Sequence, residues 1–272
     1  SQEIEFVNVE AYKNNFSDKI LGALRIWTVG CLYRLLIPEV LGNVDKIIYL
    51  DCDVLVNLDI KNLWDIDMEG NSLAGVKDLP IIGTYGKIVT KLTGRKNESY
   101  INSGVVIMDL RKIRERGIFL QIVTNWIVEN KKLIIFPDQD ALNNVFVQDI
   151  KILPENFNTV VGYNFDPRES TLPQNCIFHL CASKPWTGLK GILTDRVYWK
   201  MYVRSAWGEN LTYDEVIDRL NDMAFLTVQS ECYHSSQRQC FGRILRILRL
   251  RLFFPFRSIR YLVNVICNKL KH

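Results

Sequence analysis

Two aspartates separated by one residue interrupt an apolar segment near residue 50. Residues 47–56 read IIYLDCDVLV, a composition typical of a strand buried on both faces of a sheet. Residues two apart on a strand share a face, so Asp51 and Asp53 would lie close together and repel each other, while Cys52 would point into the core. A divalent metal ion would neutralise the two carboxylates. The alternative is a strand that ends at Leu50, followed by acids that cap a turn.

Three more groups of polar residues lie where predicted strands or helices begin or end. Asn102 follows the start of an apolar segment, residues 138–140 (Asp-Gln-Asp) precede a predicted helix, and His179 lies in the last predicted strand. Ligands of open α/β sheets bind at the carboxyl ends of strands, so we expect these groups to meet at one site. Asp140 is equally suited to capping the helix. His179 taken alone is more typical of a buried core histidine.

The elements that must position these residues alternate between strands and helices, which indicates an α/β domain. Strands are predicted at residues 4–9, 47–56, 73–76, 100–109, 150–153 and 177–180, and helices at residues 21–38, 113–129 and 140–147. A turn of helix is predicted at residues 59–65, and a loop or short helix at residues 77–99.

The composition is that of a globular protein with a large core, since 48% of the 272 residues are hydrophobic and 24% are charged. The seven cysteines are dispersed and form no C-x-x-C pair, which favours neither a zinc site nor a disulfide framework and indicates a reducing compartment. We find no signal peptide and no run of about 18 apolar residues, so no integral membrane segment is expected.

The positive charge is concentrated at the C-terminal end. Nine basic residues and no acid lie between residues 238 and 272, whereas the whole chain has a net charge of +4, so residues 1–237 are net negative. We predict a domain over residues 1–229, a polar linker over 230–239 and a basic amphipathic tail over 240–272. Arg243, Arg246 and Arg249 share one helical face, which suits an anionic membrane surface. The alternative is a helix packed on the domain, and no nucleic-acid motif is present.

Five blocks in the same order resemble family 8 glycosyltransferases of the GT-A type, in particular bacterial lipopolysaccharide and surface-polysaccharide hexosyltransferases. They are residues 45–53 (D-K-x-x-Y-L-D-x-D), 57–64 (L-x-x-L-W), 100–105 (F/Y-x-N-[AS]-G-V), 136–143 (D-Q-D-x-L-N) and 179–186 (H-x-x-G-x-x-K-P-W). Each block alone is weak, but their order over residues 45–186 is specific.

The resemblance implies a GT-A-like mixed, mostly parallel sheet flanked by helices. It also implies a retaining, metal-dependent transferase that moves glucose or galactose from a UDP-sugar to a glycolipid or surface-polysaccharide acceptor. The expected location is cytoplasmic, peripheral on the inner face of the cell membrane. Front-face attack, in which the leaving phosphate oxygen takes the proton of the acceptor, is the mechanism we favour.

The resemblance further assigns residue roles. Asp51, Asp53 and His179 would hold Mn²⁺ or Mg²⁺, and an imidazole beside two carboxylates suits Mn²⁺ better. The implied donor-binding residues are Arg34, Asp51, Asn102, Asp138 and Lys184. Asp138 and Gln139 are the implied catalytic residues: Asp138 would bind sugar hydroxyls, and Gln139 would lie beneath the anomeric carbon.

The chain departs from the family pattern in two places. Residues 181–183 (Cys-Ala-Ser) replace a stretch that contains glycine and is one residue longer, which affects the reach of Lys184. Family members also carry an N-terminal nucleotide-binding strand ahead of the region that matches residues 4–9, and we find no counterpart. We therefore expect these 272 residues to bind a UDP-sugar weakly or not at all.

Two other functions remain open from the sequence. One is a catalytically inactive family member that serves as a membrane-associated assembly module. The other is a sugar nucleotidyltransferase, although no glycine-rich basic nucleotide motif is present.

Overall fold

A computed structural model of the protein describes residues 4–9, 12, 15–24, 27–94, 99–117, 119–161, 173–181, 184–185, 198–199, 201–202 and 205. The chain divides into two units. The first comprises Ser1–Thr159 and Asn175–His179, and the second comprises Val160–Gln174 and Leu180–His272. The predicted linker, residues 230–239, and the basic tail, residues 240–272, lie outside the described residues.

The regular elements are as follows. The strands are β1 (Lys46–Leu50), β2 (Val54–Asn57), β3 (Leu73–Lys77), β4 (Ile101–Asp109), β5 (Ile150–Leu153), β6 (Thr159–Val160) and β7 (Cys176–His179). The α-helices are α1 (Asp18–Leu21), α2 (Ile37–Val40), α3 (Lys61–Trp64), α4 (Leu79–Thr93), α5 (Leu110–Glu115), α6 (Phe119–Glu129) and α7 (Pro137–Val145). Short 3₁₀ helices cover Val29–Leu36 and Glu155–Phe157.

The central sheet is mixed, as expected, with the strand order β1-β4-β3-β5. Strands β1, β3 and β5 run in one direction, but β4 lies between β1 and β3 in the opposite direction. Most strands of this sheet therefore point the same way, while only the β3–β5 pair is hydrogen-bonded in parallel. Inserting β4 brings its first residues to the edge where β1 and β3 end.

The predicted strand over residues 47–56 is wrong, because the chain forms two strands there. Strand β1 ends at Leu50, and β2 begins at Val54 and pairs antiparallel with β7 in a separate sheet. Asp51 and Asp53 thus lie in the turn between two sheets. The alternative interpretation, a strand that ends at Leu50, is the one that the structure shows. Cys52 was expected to point into the core but is exposed, because alternation of faces does not apply inside a turn.

Several predicted element bounds are also wrong. Residues 4–9 have no regular structure, and residues 77–99 contain the 15-residue helix α4. The helix predicted over residues 113–129 is divided into α5 and α6 near Gly117, whose φ of 81° belongs to the left-handed region. Pro38 does not end a helix but lies in the first turn of α2, where its missing N–H costs nothing.

Strand β4 separates two apolar clusters. Val106 and Met108 pack on one side, in a cluster with residues of α5, α6 and α7. Val105 and Ile107 pack on the other side, in a smaller cluster. The alternation follows the two-residue period of a strand and explains why β4 is apolar on both faces. Within the described part of the chain, no helix has the length and hydropathy that a bilayer crossing requires.

A half-buried carboxylate, Asp149, connects the starts of β3 and β5 to helix α5. Asp149 accepts hydrogen bonds from the backbone N–H of Ser72 at 2.9 Å and from its hydroxyl at 2.5 Å. Lys112 donates to Asp149 at 2.9 Å, and Arg116 forms a further ion pair with it. Burial alone would raise the pKa of Asp149, but the hydrogen bonds from Ser72, Lys112 and Arg116 lower it to about 2.

We predict that Asp149→Asn lowers the free energy of unfolding by about 2 kcal/mol at pH 7. The folded pKa of Asp149 lies below its ordinary value, so its contribution is complete above about pH 4 and disappears as the pH falls toward 2. Urea unfolding of wild type and variant at pH 7 and pH 3 measures this. Asp65→Asn, which removes an exposed ion pair to Lys61, is the control and should cost little. An equal effect of Asp149→Asn at both pH values would contradict the assignment.

Candidate active site

The site begins where β1 ends against β4. Leu50 pairs with Val105, and the backbone N–H of Asp51 donates to the carbonyl of Gly104 at 2.8 Å. Because β4 runs antiparallel to β1, the polar residues at its start, Asn102 and Ser103, lie at the same edge as Asp51.

The third predicted ligand arrives from the second sheet. His179 of β7 pairs with Val54 of β2, the residue that directly follows Asp53. The pairing therefore places the histidine next to Asp53. Its Nε2 is 3.3 Å from Oδ1 of Asp53 and 3.9 Å from Oδ2 of Asp51. One ligand atom from each of the three residues lies within 4.8 Å of the others. The structure thus brings together all three residues that the sequence predicted as metal ligands.

His179 is held as a neutral ring. Its side chain is buried, and this burial is the main cause that lowers its pKa, although Asp51 and Asp78 act in the opposite direction. The pKa therefore lies below the ordinary value for histidine, and the ring is neutral at pH 7. A neutral ring leaves one nitrogen with a lone pair for a metal ion.

Asp51 divides its two oxygens between different partners. Its Oδ1 accepts hydrogen bonds from Nη2 of Arg34 at 2.8 Å and from the hydroxyl of Tyr49 at 2.7 Å. The guanidinium of Arg34 also lies over the ring of Tyr49, 4.5 Å from its centroid. Oδ2 faces His179, so Asp51 presents one oxygen to a metal ion.

The absence of a side chain at Gly104 lets His179 and Asp51 pack closely against the strand. A Cβ at this position would lie 2.2 Å from Cε1 of His179 and 2.8 Å from Oδ2 of Asp51. No side chain can occupy this volume without moving both residues. The oxygen and nitrogen donors of Asp51, Asp53 and His179 fit a divalent metal such as Mn²⁺.

Asp138 lies on the other side of Arg34. Its Oδ2 is 3.1 Å from Nε of Arg34 and accepts a hydrogen bond from the Ser103 hydroxyl at 3.1 Å. Burial raises the pKa of Asp138, while Arg34 and Ser103 oppose that effect. Burial and the nearby Asp138 also raise the pKa of Cys31 to about 12, so the Cys31 thiol is protonated.

Gln139 is held at both ends of its amide. Oε1 accepts from the backbone N–H of Ser103 at 2.9 Å, and Nε2 donates to Oδ2 of Asp78 at 3.0 Å and to the hydroxyl of Tyr100 at 3.1 Å. The side chain is only 5% exposed. Its orientation is therefore fixed by the protein before any ligand binds.

Asp140 serves the backbone at the start of α7. Its Oδ2 accepts from the N–H groups of Ile135 at 2.6 Å and Phe136 at 3.0 Å, and its Oδ1 accepts from the hydroxyl of Tyr100 at 2.5 Å. The sequence left two roles open for Asp140, a helix cap and a catalytic group. These contacts are those of a residue that caps the N-terminus of a helix.

The other predicted residues lie in two places. Asn102 contacts Asp78 and Asn158 through its amide, at the same edge as the acids. Lys184 is half-buried and belongs to the second unit, so its contribution to phosphate binding stays a prediction.

Sequence reasoning missed Tyr49, Asp78, Ser103 and Asn158. Asp78 was detectable, because it directly follows the short strand β3 and precedes Leu79-Pro80, a pattern typical of a helix N-terminus. Asn158 follows a 3₁₀ turn in an irregular segment with no periodic signal, so only the three-dimensional structure identifies it.

The mixed sheet and this edge site define a GT-A-like glycosyltransferase fold. The fold is similar to the crystal structure of galactosyltransferase LgtC in complex with donor and acceptor sugar analogues, with a TM-score of 0.60 at 24% identity, over 75% of this chain and 76% of that chain. The family model of glycosyl transferase family 8 matches residues 1–190, so the chain belongs to this family.

Curated relatives agree with this assignment. Lipopolysaccharide 1,2-glucosyltransferase of Escherichia coli (strain K12) is 27% identical over 194 residues, which are 66% of this chain and 56% of the relative. General stress protein A of Bacillus subtilis (strain 168) is 29% identical over 204 residues, which are 67% of this chain and 66% of the relative. The matched region thus covers less than two thirds of the length of either relative.

We predict that Gly104→Ala weakens Mn²⁺ binding by more than about 10-fold, because the added methyl group occupies the space between Asp51 and His179. Titration of Mn²⁺ followed by electron paramagnetic resonance measures the free ion. Gly42→Ala is the matched control, since its Cβ would meet only the carbonyl of Glu39 at 3.9 Å. Wild-type affinity in Gly104→Ala would contradict the placement of the ion.

Proposed function

We propose that the protein is a retaining, metal-dependent glycosyltransferase that moves glucose or galactose from a UDP-sugar to a glycolipid or surface-polysaccharide acceptor. The observation that carries the proposal is the group formed by Asp51, Asp53 and His179 in a chain of family 8. Two carboxylates and a neutral imidazole are suitable ligands for Mn²⁺, with Mg²⁺ as the alternative.

Asp51, Asp53 and His179 would hold the metal ion at the junction of the two sheets, and the charge supplied there would neutralise negative charge on the diphosphate as UDP leaves. Lys184 is proposed to supply a further positive charge to the phosphates. Arg34 orients Asp51 and Asp138 together, since its guanidinium contacts both carboxylates.

The sugar is proposed to lie on the side of Asp138 and Gln139. Asp138 accepts hydrogen bonds from sugar hydroxyls, and Asn102 also forms a hydrogen bond with the sugar. Gln139 lies beneath the anomeric carbon. Because Gln139 is held by Ser103, Asp78 and Tyr100, its carbonyl dipole does not have to reorient when positive charge develops on the sugar.

Retention follows from attack on the same face as the leaving group. The bond between the anomeric carbon and the phosphate oxygen breaks, and the bond from the acceptor hydroxyl oxygen forms on that face. The proton of the acceptor hydroxyl passes to the leaving phosphate oxygen, so no protein base is required.

The acceptor class and the membrane location rest on the relatives and on the basic tail. One relative is named a lipopolysaccharide 1,2-glucosyltransferase. Residues 240–272 carry basic residues and no acid. We propose that this tail binds the anionic inner face of the cell membrane, where a glycolipid acceptor is accessible.

We predict that Asp53→Asn lowers UDP-hexose turnover about 100-fold or more, because loss of a charged ligand removes several kcal/mol of charge stabilisation. Release of UDP from UDP-glucose and UDP-galactose with Mn²⁺, with and without a chelator, measures this. Asp65→Asn changes the same residue type at an exposed site and should leave turnover unchanged. Turnover that does not depend on the metal, or that Asp53→Asn leaves unchanged, would overturn the proposed role of this site. No turnover in wild type with either donor would favour an inactive assembly module.

We predict that Arg243→Glu, Arg246→Glu and Arg249→Glu together weaken binding to vesicles of phosphatidylglycerol and phosphatidylcholine. Each arginine near an anionic surface contributes about 1 kcal/mol, so the triple variant should bind more than about 100-fold less tightly. Co-sedimentation at low salt measures the effect. The same charge change at Lys87, Lys131 and Lys132 is the control. Equal binding of both triple variants would reject the tail as the membrane contact.

A further inference from the structure

A continuous line of side-chain hydrogen bonds leads away from His179 on the side opposite the acids. Nδ1 of His179 lies 3.0 Å from Oδ1 of Asn158, and Nδ2 of Asn158 donates to Oδ1 of Asn102 at 2.9 Å. Nδ2 of Asn102 in turn donates to Oδ2 of Asp78 at 2.9 Å. Asp78, Asn158 and His179 are buried and Asn102 is half-buried, so these bonds are largely shielded from water.

The ends of this line determine the direction of every bond in it. The backbone N–H of Gly104 can only donate, and it donates to Oδ1 of Asn102 at 2.9 Å. Asp78 as a carboxylate can only accept, so the other end of the Asn102 amide must be its NH₂ group. Oδ1 of Asn102 therefore requires a donor from Asn158, which turns Oδ1 of Asn158 toward the histidine ring.

We propose that Asn158 is a positioning residue that fixes the tautomer and ring orientation of His179 for metal binding. Oδ1 of Asn158 accepts a hydrogen bond from the N–H at Nδ1 of His179, which leaves the lone pair of the ring on Nε2. Nε2 is the ring atom that faces Asp51 and Asp53, at 3.9 Å and 3.3 Å. This inference goes beyond the proposed function but rests on its metal site.

The side-chain amide of Asn158 makes its hydrogen bonds to His179 and Asn102. The side chain is 1% exposed, and both ends of its amide are used within the line. Asn156, two residues earlier in the same turn, donates instead to the carbonyl of Asn175 on the exposed surface. The two asparagines lie in the same turn but have different hydrogen-bond partners, so Asn156 is a suitable control for Asn158.

The same line connects the metal side of the site to the sugar side. Oδ2 of Asp78 accepts from Nε2 of Gln139 as well as from Asn102, at 3.0 Å and 2.9 Å. Reversal of one amide would break bonds along the whole line, because each amide has one donor end and one acceptor end. The orientation of His179 is thereby coupled, through Asn158, Asn102 and Asp78, to the orientation of Gln139.

The test compares Asn158→Ala and Asn158→Asp with Asn156→Ala in the full chain. Nitrogen-15 NMR of the metal-free protein reports which ring nitrogen of His179 carries the proton, and His179→Asn identifies its signals among the three histidines. We expect protonation at Nδ1 in wild type, Asn156→Ala and Asn158→Asp, whose carboxylate still accepts, and a mixture of tautomers in Asn158→Ala. Mn²⁺ titration should show about 10- to 100-fold weaker binding for Asn158→Ala only.

Each outcome decides the matter. Protonation at Nε2 in the wild type, or Asn158→Ala indistinguishable from Asn156→Ala in tautomer, overturns the role of Asn158. If Asn158→Ala does not fold, Asn158→Leu takes its place: this variant keeps the side-chain volume but has no acceptor, so it should show the same mixture of tautomers and the same weaker Mn²⁺ binding, and wild-type behaviour in it overturns the role of Asn158. A wild type that binds no Mn²⁺ overturns the proposed function instead, and the tautomer measurement then still decides the role of Asn158.

Discussion

One guanidinium stabilises two carboxylates that would otherwise repel each other at the edge of the sheet. Arg34 contacts Asp51 at 2.8 Å and Asp138 at 3.1 Å, and its Nη1 donates to the carbonyl of Ser103 at 2.6 Å. Removing a carboxylate from water costs several kcal/mol without such a partner. By occupying one oxygen of Asp51, Arg34 also determines which oxygen is presented to His179.

Arg34 can do this because of the short element that carries it. The 3₁₀ helix Val29–Leu36 buries Leu32, Leu35 and Leu36 in the larger apolar cluster. One buried leucine precedes the arginine and two follow it, and their packing fixes its backbone. The guanidinium therefore reaches the carboxylates from a backbone that is held in place. The electrostatics of the site therefore depend on apolar packing behind it.

The sequence was sufficient to predict that Asp51, Asp53 and His179 lie together, because the three residues belong to ordered blocks that resemble those of a family. It was insufficient for their geometry. The i and i+2 argument placed both acids on one strand, whereas they lie in a turn that separates β1 from β2. Hydrophobicity continues through both strands, so no local signal marks the change of sheet.

Long-range hydrogen bonds were beyond prediction for a similar reason. Asn102 and Asn158 are 56 positions apart, and their contact depends on how the chain returns to the sheet edge after β5. Helix α4 was predicted only as a loop or a short helix, because its glycines and polar residues obscure the apolar spacing of Val89 and Leu92. Packing against the rest of the domain outweighs weak local propensity there.

The turn from Asp51 to Asp53 has a consequence for how the chain can vary. Leu50 is in register with Val105 in one sheet, and Val54 is in register with His179 in the other, so three residues connect two fixed ladders. Surface loops usually accept insertions and deletions. Here a change of one residue would displace an acid by about 3.4 Å, a full strand step, or shift a ladder so that its side chains exchange faces. Loop length is therefore as constrained as residue identity in this turn, and Cys52 is the position where substitution is freest.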